Sequence, residues 1–245
     1  MRLLAGPGGT DPLQGLLAAR REAPAGRPWV TGNMVASIDG ATAVDGESRG
    51  LSGPADRRVF HALRGLADAV MAGAGTVRAD RYGPARPSPE VRRDRRARGQ
   101  AEVPAVVVVT RSLELDWSSP LVREAEVPTV VAAPRDAPAA ARARVPGAVD
   151  LVLAGDGDVD LAGVMDALAR RGVRHLLCEG GPGLLGQLTG AGLLDELYLT
   201  VAPRMVAGDA RRAMTGPALH PPAGARLAAA AEEDDFLFLR YEVTR

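Results

Sequence analysis

The sequence predicts an α/β fold: a mostly parallel sheet covered on both faces and finished by an antiparallel C-terminal strand. Three observations carry this. Short apolar runs alternate with helical patterns along most of the chain. Two of those runs end in glycine turns that lead into helices, VRHLLCEGGPGLL over 173–185 and DAVMAGAGTVRAD over 68–80. The last run, 236–243, alternates Leu237, Leu239, Tyr241 and Val243 with a second face that carries Phe236 and Phe238. That period of two marks an antiparallel strand with both sides covered.

In order along the chain, Asp11 as N-cap and Pro12 at the first helical position predict a short helix over 11–20, and 23–28 reads as a linker. Strands are predicted at 29–36, 69–72, 105–110, 129–133, 150–154, 173–178, 196–202 and 236–243. A helix over 54–66 starts behind Ser52 and Gly53, puts Val59, Leu63 and Leu66 on one stripe, and ends near Gly65. Leu161, Val164, Met165 and Leu168 stand at i, i+3, i+4 and i+7 of a helix over 161–171, with Gly172 at C′. The arginine-rich stretch 84–104 interrupts the alternation and reads as a solvated loop or exposed helix; a grip on substrate phosphate is the other reading. The alanines at 228–231 form the one low-complexity tract.

Composition narrows the function classes. With 245 residues, 46% of them hydrophobic, the chain can bury a full core, and one α/β domain is the expectation. Thirty acidic residues balance thirty basic ones, which argues against a nucleic-acid or membrane surface as the main partner. Every basic residue is arginine. Without lysine, Schiff-base chemistry, pyridoxal-phosphate attachment and a P-loop lysine are excluded. Cys178 is the single cysteine, so an internal disulfide is excluded and a reducing compartment is expected. His61, His175 and His220 are scattered, so no metal site is expected. No apolar stretch approaches the ~20 residues of a membrane span, and the N-terminal MRLLAGPGGTDP breaks at Gly6-Pro7 before a signal core forms. The expected location is the cytoplasm.

The glycine turns carry the chemistry. Adjacent glycines after a strand let the backbone approach a ligand, and Pro182 presets φ for the first helical turn where its missing N–H costs nothing. The N–H groups that remain favour an anion, helped by the helix dipole. Glycine in such a connection also serves plain sterics. Gly46-Glu47-Ser48-Arg49-Gly50 matches the GxSxG elbow of serine hydrolases, but no buried strand leads directly into it and no helix follows at once, so that reading is set aside. A binding protein without turnover is the remaining alternative outside the enzymes.

Four motifs in order, GNMVASIDGATA (32–43), GESRGLSGPADRRVFHALR (46–64), VMAGAGTVRAD (70–80) and CEGGPGLL (178–185), resemble the reductase domain of bifunctional riboflavin-biosynthesis proteins, within the wider dihydrofolate-reductase-like group. The likeness spans about 28–241. The zinc-binding His/Cys signature of those proteins' deaminase half has no counterpart, so the chain resembles the reductase half alone. The resulting division is an N-terminal extension and linker over 1–27 and a reductase domain over 28–245.

The resemblance implies a dihydrofolate-reductase-like three-layer sandwich that uses NADPH to convert a ribosylaminopyrimidine 5′-phosphate to its ribitylamino form. It does not choose between the deaminated and non-deaminated pyrimidine, and a pterin, folate or specialised metabolite is the alternative acceptor. Carried over residue by residue, it gives Gly180, Gly181, Pro182, Gly183 and Leu184 to the cofactor pyrophosphate, Thr76 and Asp80 to further cofactor contacts, and Ala36 to a contact through its backbone. Arg111, where the 105–110 strand ends, is either a fork for a 2′-phosphate or a surface arginine. Ser48, Arg64, Glu179 and Asn33 are the substrate positions. Asp39 reads as a stabiliser of the Ser37–Gly40 turn. Asn33 stands where the family usually has lysine; an amide hydrogen-bonds but is no cationic acid, which leaves Asp80 as the catalytic candidate. The segment after Asp80, Arg81 to Arg86, also departs from the family pattern; Arg86 is the candidate to replace the family's substrate-phosphate arginine, without a secure alignment. Phe236, Leu237, Phe238 and Leu239 are consecutive and apolar, and together with the resemblance they lead to an expected homodimer through the C-terminal part of the sheet.

Overall fold

Alternating apolar runs become strands largely where the sequence places them. The structure, a computed structural model, describes residues 1–19 and 21–244. In order the elements are β1 (Arg2–Ala5), α1 (Pro12–Leu17), β2 (Trp29–Ser37), α2 (Pro54–Leu66), β3 (Ala69–Gly73), α3 (Ala74–Ala79), α4 (Pro89–Ala97), β4 (Ala105–Val109) and α5 (Pro120–Arg123). There follow β5 (Val130–Ala133), α6 (Ala139–Arg142), β6 (Asp150–Leu153), α7 (Leu161–Arg170), β7 (His175–Cys178), α8 (Pro182–Gly190), β8 (Glu196–Ala202), β9 (Gly224–Glu233) and β10 (Phe236–Thr244). The chain divides into two compact units, residues 1–22, 30–63 and 178–245 in the first and residues 23–29 and 64–177 in the second.

In the first unit the strands run β1-β9-β10-β8-β2. β2 and β8 are parallel, while β8–β10, β10–β9 and β9–β1 are antiparallel. The antiparallel edge is therefore three strands, where the sequence reading had one. β9 runs through the alanine tract, and β10 lies between β8 and β9 rather than at an edge. Phe236 and Phe238 are buried by their own chain, which corrects the idea that the whole 236–239 run awaits a cover; Leu237, on the other face, is 39% exposed.

α1 is shorter than the expected 11–20 helix. Asp11 caps it through Leu13 N–H (2.9 Å), but Ala18 already has extended backbone, and Arg20 lies outside the described residues. Beyond α1, Arg21 donates to Glu196 (2.8 Å) and to the Tyr198 hydroxyl (2.8 Å), and Thr31 of β2 donates to the same carboxylate (2.8 Å). Arg240 lies 3.7 Å from Glu196 and donates to the Ala18 carbonyl. Glu196 and Arg240 are buried, and breaking such a pair by removing one partner costs roughly 3–5 kcal/mol. Burial, then the charge of Glu196, pushes the Tyr198 hydroxyl up, so it stays protonated as a donor to the Leu16 carbonyl.

In the second unit the order is β7-β3-β4-β5-β6, with β3–β4, β4–β5 and β5–β6 parallel. Val107, Val108 and Val131 are fully buried in it, as expected for strands covered on both faces. The arginine-rich insert contains α4, and most of that helix is solvated or half-buried. Arg95 is the exception. It is fully buried and donates to the carbonyls of Arg64, Gly65, Ala67 and Ala101 (2.5–3.4 Å), so it caps the C-terminus of α2. A buried guanidinium committed to backbone carbonyls has no substrate phosphate to grip, and the phosphate reading of the insert does not extend to it.

Candidate active site

β7 ends at Cys178, the first residue of the last segment of the first unit, and Glu179, Gly180 and Gly181 turn the chain into α8. Glu179 is buried. Gly180 has φ +89°, which favours glycine, and a Cβ there would stand 3.1 Å from Met34 Sδ of β2, so that side chain would have to give by a few tenths of an ångström. The Gly180–Gly181 peptide bond is cis. Gly181 is the N-cap of α8 and offers no side-chain acceptor, and Pro182 follows in the first turn. The first bond within the helix is Leu185 N–H to the Gly181 carbonyl (3.1 Å), so the N–H groups of Gly183 and Leu184 lie ahead of the helical ladder. This end of α8 is a cradle of backbone donors that fits an anion.

On β2, Asn33 lies in register with Tyr198, on the face that carries Thr31 and Glu196; Met34 and Ala36 point to the opposite face. Ala36 is buried, so its backbone is what it can offer a ligand. At the end of β2 the Ser37 hydroxyl donates to Asp39 (2.5 Å), and Asp39 accepts from the N–H groups of Val206 (3.1 Å) and Ala207 (2.6 Å). These bonds, the Ser37 one first, hold the Asp39 carboxyl down at about 2. Asp39 is thus the turn stabiliser the sequence suggests, and it also ties down the segment between β8 and β9. That segment reaches α8 as well: Thr215 N–H donates to the Pro182 carbonyl (3.1 Å), and a Cβ on Gly186 would meet the Thr215 carbonyl oxygen at 2.1 Å. The sequence reading missed it, because a Gly- and Pro-rich connection carries no periodicity. Ser48 opens a 3₁₀ turn over Ser48–Gly50, preceded by a tight turn in which Asp45 and Gly46 both have positive φ. No strand delivers Ser48 to a strand-to-helix elbow, in keeping with setting the hydrolase aside.

In the second unit β3 leads into α3 through Gly73, an N-cap with ordinary φ of −73°. A Cβ on Gly75 would meet nothing within 4 Å, so the protein's own packing leaves this turn open. Thr76 lies in the first turns of α3, and Asp80 is its C-cap, with the Asp80 N–H bonded to the Thr76 carbonyl (2.9 Å). Arg111 is exposed in the bend after β4. Arg64, in the last turn of α2, holds its guanidinium 5.4 Å from the centroid of the Tyr82 ring. Arg86 pairs with Glu124 on the surface. The first unit thus gathers Asn33, Ala36, Ser48 and 179–184, and the second holds Arg64, Thr76, Asp80 and Arg111. Among the described residues there is no group of His, Cys, Asp or Glu able to hold a metal, and no helix is long and apolar enough to cross a membrane.

Residues 28–229 match the family model described as the RibD C-terminal domain. The chain belongs to the RibD C-terminal domain family. Within that family's reach, it is 33% identical to the 2,5-diamino-6-ribosylamino-4(3H)-pyrimidinone 5′-phosphate reductase of Archaeoglobus fulgidus, covering 74% of this chain and 83% of that protein. The protein of the same name from Methanothermobacter thermautotrophicus is 34% identical over 78% of this chain and 85% of its own length. Among solved structures, a pyrimidine reductase-like protein from Corynebacterium diphtheriae aligns with a TM-score of 0.78 at 25% identity, covering 89% of this chain and 92% of that one. A dihydrofolate reductase from Enterococcus faecalis, solved with NADP(H), aligns with a TM-score of 0.51 at 13% identity over 89% of this chain and 97% of its own, a likeness of fold. The RibD C-terminal domain thus has a dihydrofolate-reductase-like α/β fold in this chain, mostly parallel with an antiparallel edge.

Proposed function

We propose that this chain is the NADPH-dependent reductase that converts 2,5-diamino-6-ribosylamino-4(3H)-pyrimidinone 5′-phosphate to its ribitylamino form in riboflavin biosynthesis. The observation that carries the reading is the pair of relatives bearing that name, each at least 33% identical and matched over more than four-fifths of its length. They favour the non-deaminated pyrimidine over its deaminated counterpart. The cofactor reading rests on the fold shared with a dihydrofolate reductase solved with NADP(H) and on the donor cradle at the start of α8.

In this reading the reductase domain runs over 28–245, preceded by the segment 1–27. The backbone of 180–184 holds the cofactor pyrophosphate, Ala36 contacts the cofactor through its backbone, and Thr76 and Asp80 are further cofactor contacts. Arg111, exposed in the bend after β4, is available as a fork for the 2′-phosphate that separates NADPH from NADH. NADPH held by these residues would supply a hydride to C1′ of the open-chain sugar imine, with a proton at nitrogen completing the amine. Glu179, buried at the end of β7, accepts from the diaminopyrimidine edge, Asn33 and Ser48 add hydrogen bonds, and Arg64 holds the phosphate or the ring carbonyls. Asp80 relays the proton through water, since Asn33 has none to give. The protein acts in the cytoplasm as a homodimer; Leu227 (44% exposed) and Leu237 (39%), on one face of the antiparallel edge, support a partner there.

Incubating the purified protein with NADPH and each pyrimidine phosphate, while following cofactor absorbance and product mass, tests the reading. Faster oxidation with the diaminopyrimidine is expected. Absence of NADPH oxidation with either pyrimidine contradicts it.

A further inference from the structure

Arg64 is anchored twice, by groups that come from two different segments of the second unit. Its backbone sits in the last turn of α2, whose unpaired carbonyls are taken up by the insert: Arg95 binds those of Arg64, Gly65 and Ala67, Arg98 donates to Gly65 (2.7 Å), and Gln100 donates to Leu66 (2.9 Å). Side-chain capping of this kind stiffens a helix end that ordinarily frays. Its side chain meets Tyr82, with the guanidinium 5.4 Å from the ring centroid, inside the range of a cation–π contact.

The ring itself is held from behind. Arg81, in the left-handed region at φ +49°, ends α3, and the Tyr82 N–H reaches back to the Val77 carbonyl (3.0 Å) in the six-to-one bond of a Schellman turn. Tyr82 then packs against the cluster that includes Ala74, Ala85, Val103 and Val106. A long arginine ordinarily loses much rotamer freedom when it binds a ligand. Here the rotamer is chosen beforehand by a ring with little freedom of its own.

We propose that Tyr82 is a positioning residue for Arg64, presetting the guanidinium for the pyrimidine phosphate. The inference rests on the reading above in which Arg64 contacts substrate. It assigns a purpose to the segment Arg81–Gly83, where the chain departs from its family's pattern: the departure supplies an aromatic platform. An ordered fork needs less reorganisation at binding, so the effect falls on substrate affinity and leaves cofactor affinity alone.

The test is a double-mutant cycle read by steady-state kinetics with the diaminopyrimidine phosphate and NADPH. Tyr82→Leu raises KM for the pyrimidine about 3- to 10-fold, the size of one cation–π contact, and leaves KM for NADPH unchanged. Tyr82→Phe, which keeps the ring, stays within about twofold of the parent. If leucine destabilises the unit, Tyr82→Met fills the same space without a π-face and takes its place. In an Arg64→Ala background the loss of the ring adds nothing. Full additivity of the Tyr82 and Arg64 effects, or a Tyr82→Phe as impaired as Tyr82→Leu, overturns the positioning role while leaving Arg64 as a substrate residue. An Arg64→Ala with unchanged pyrimidine KM overturns the substrate reading of Arg64 and the inference with it.

Discussion

Two glycine turns that look alike in sequence are built for different reasons. In the turn that opens α8, the protein itself demands glycine: Gly180 has positive φ and backs onto Met34, and Gly186, one turn further on, lies under the Thr215 backbone. In the turn that opens α3, Gly73 has a φ any residue adopts and Gly75 faces open space, so folding demands glycine at neither place on those grounds. The contrast separates glycines kept for packing from glycines that leave room for something outside the chain. It also says where a substitution should disturb stability and where it should disturb binding.

The largest effect is expected at Gly186. A Cβ 2.1 Å from a backbone carbonyl cannot be absorbed by a rotamer change, so Gly186→Ala must push the 214–216 backbone away from α8, and about 1–3 kcal/mol of stability is lost. Denaturant unfolding measures it, and an unchanged midpoint means the segment does not pack on α8. Gly180→Ala comes next, at about 1–2 kcal/mol, because alanine is strained at φ +89° even before it crowds Met34. At Gly75 the same replacement leaves stability unchanged or raises it by up to about 1 kcal/mol, since alanine is the better helix former. Calorimetric titration of Gly75→Ala should nonetheless show weakened NADPH binding. Unaltered affinity there, in a stable variant, removes the α3 turn from the cofactor site and with it the contrast.

Smaller tests concern the surroundings of the first turn. Burial pushes the Cys178 thiol up to about 12, so it stays protonated at neutral pH, and iodoacetamide should label it only after denaturation. Labelling of the native protein at a free-thiol rate contradicts a buried β7. Asp39 is held at about 2 against an ordinary 3.8. Its folded value is the lower one, so its contribution is present above about pH 4 and fades as pH falls towards 2. Amide exchange at Val206 and Ala207 should therefore accelerate, relative to the intrinsic rate, over that window.

Periodicity made most of this architecture readable. β8 and α2 fall where the pattern puts them, and α7 differs by one residue, because each buries one stripe or alternate positions of its own sequence. β9 was hidden for the opposite reason. An alanine tract favours helix locally, and only pairing with β10 on one side and β1 on the other makes it a strand, which no local window contains. The four residues of β1 are too few for a period. At the candidate site the backbone features were legible as turns, Gly180-Gly181 above all. Met34 behind Gly180, Tyr82 beside Arg64 and Thr215 against Gly186 were not, since each is a contact across distant sequence.

The most direct measurement follows the hydride itself. NADPH deuterated at the transferable C4 position is incubated with the protein and the diaminopyrimidine phosphate, and the ribitylamino product is analysed by mass and by proton NMR. Transfer by this chain predicts a product with a single deuterium, located at C1′, formed in step with cofactor oxidation. Cofactor oxidation with no deuterium in the product, or no product with either pyrimidine, would contradict the assignment of this chain as the reductase.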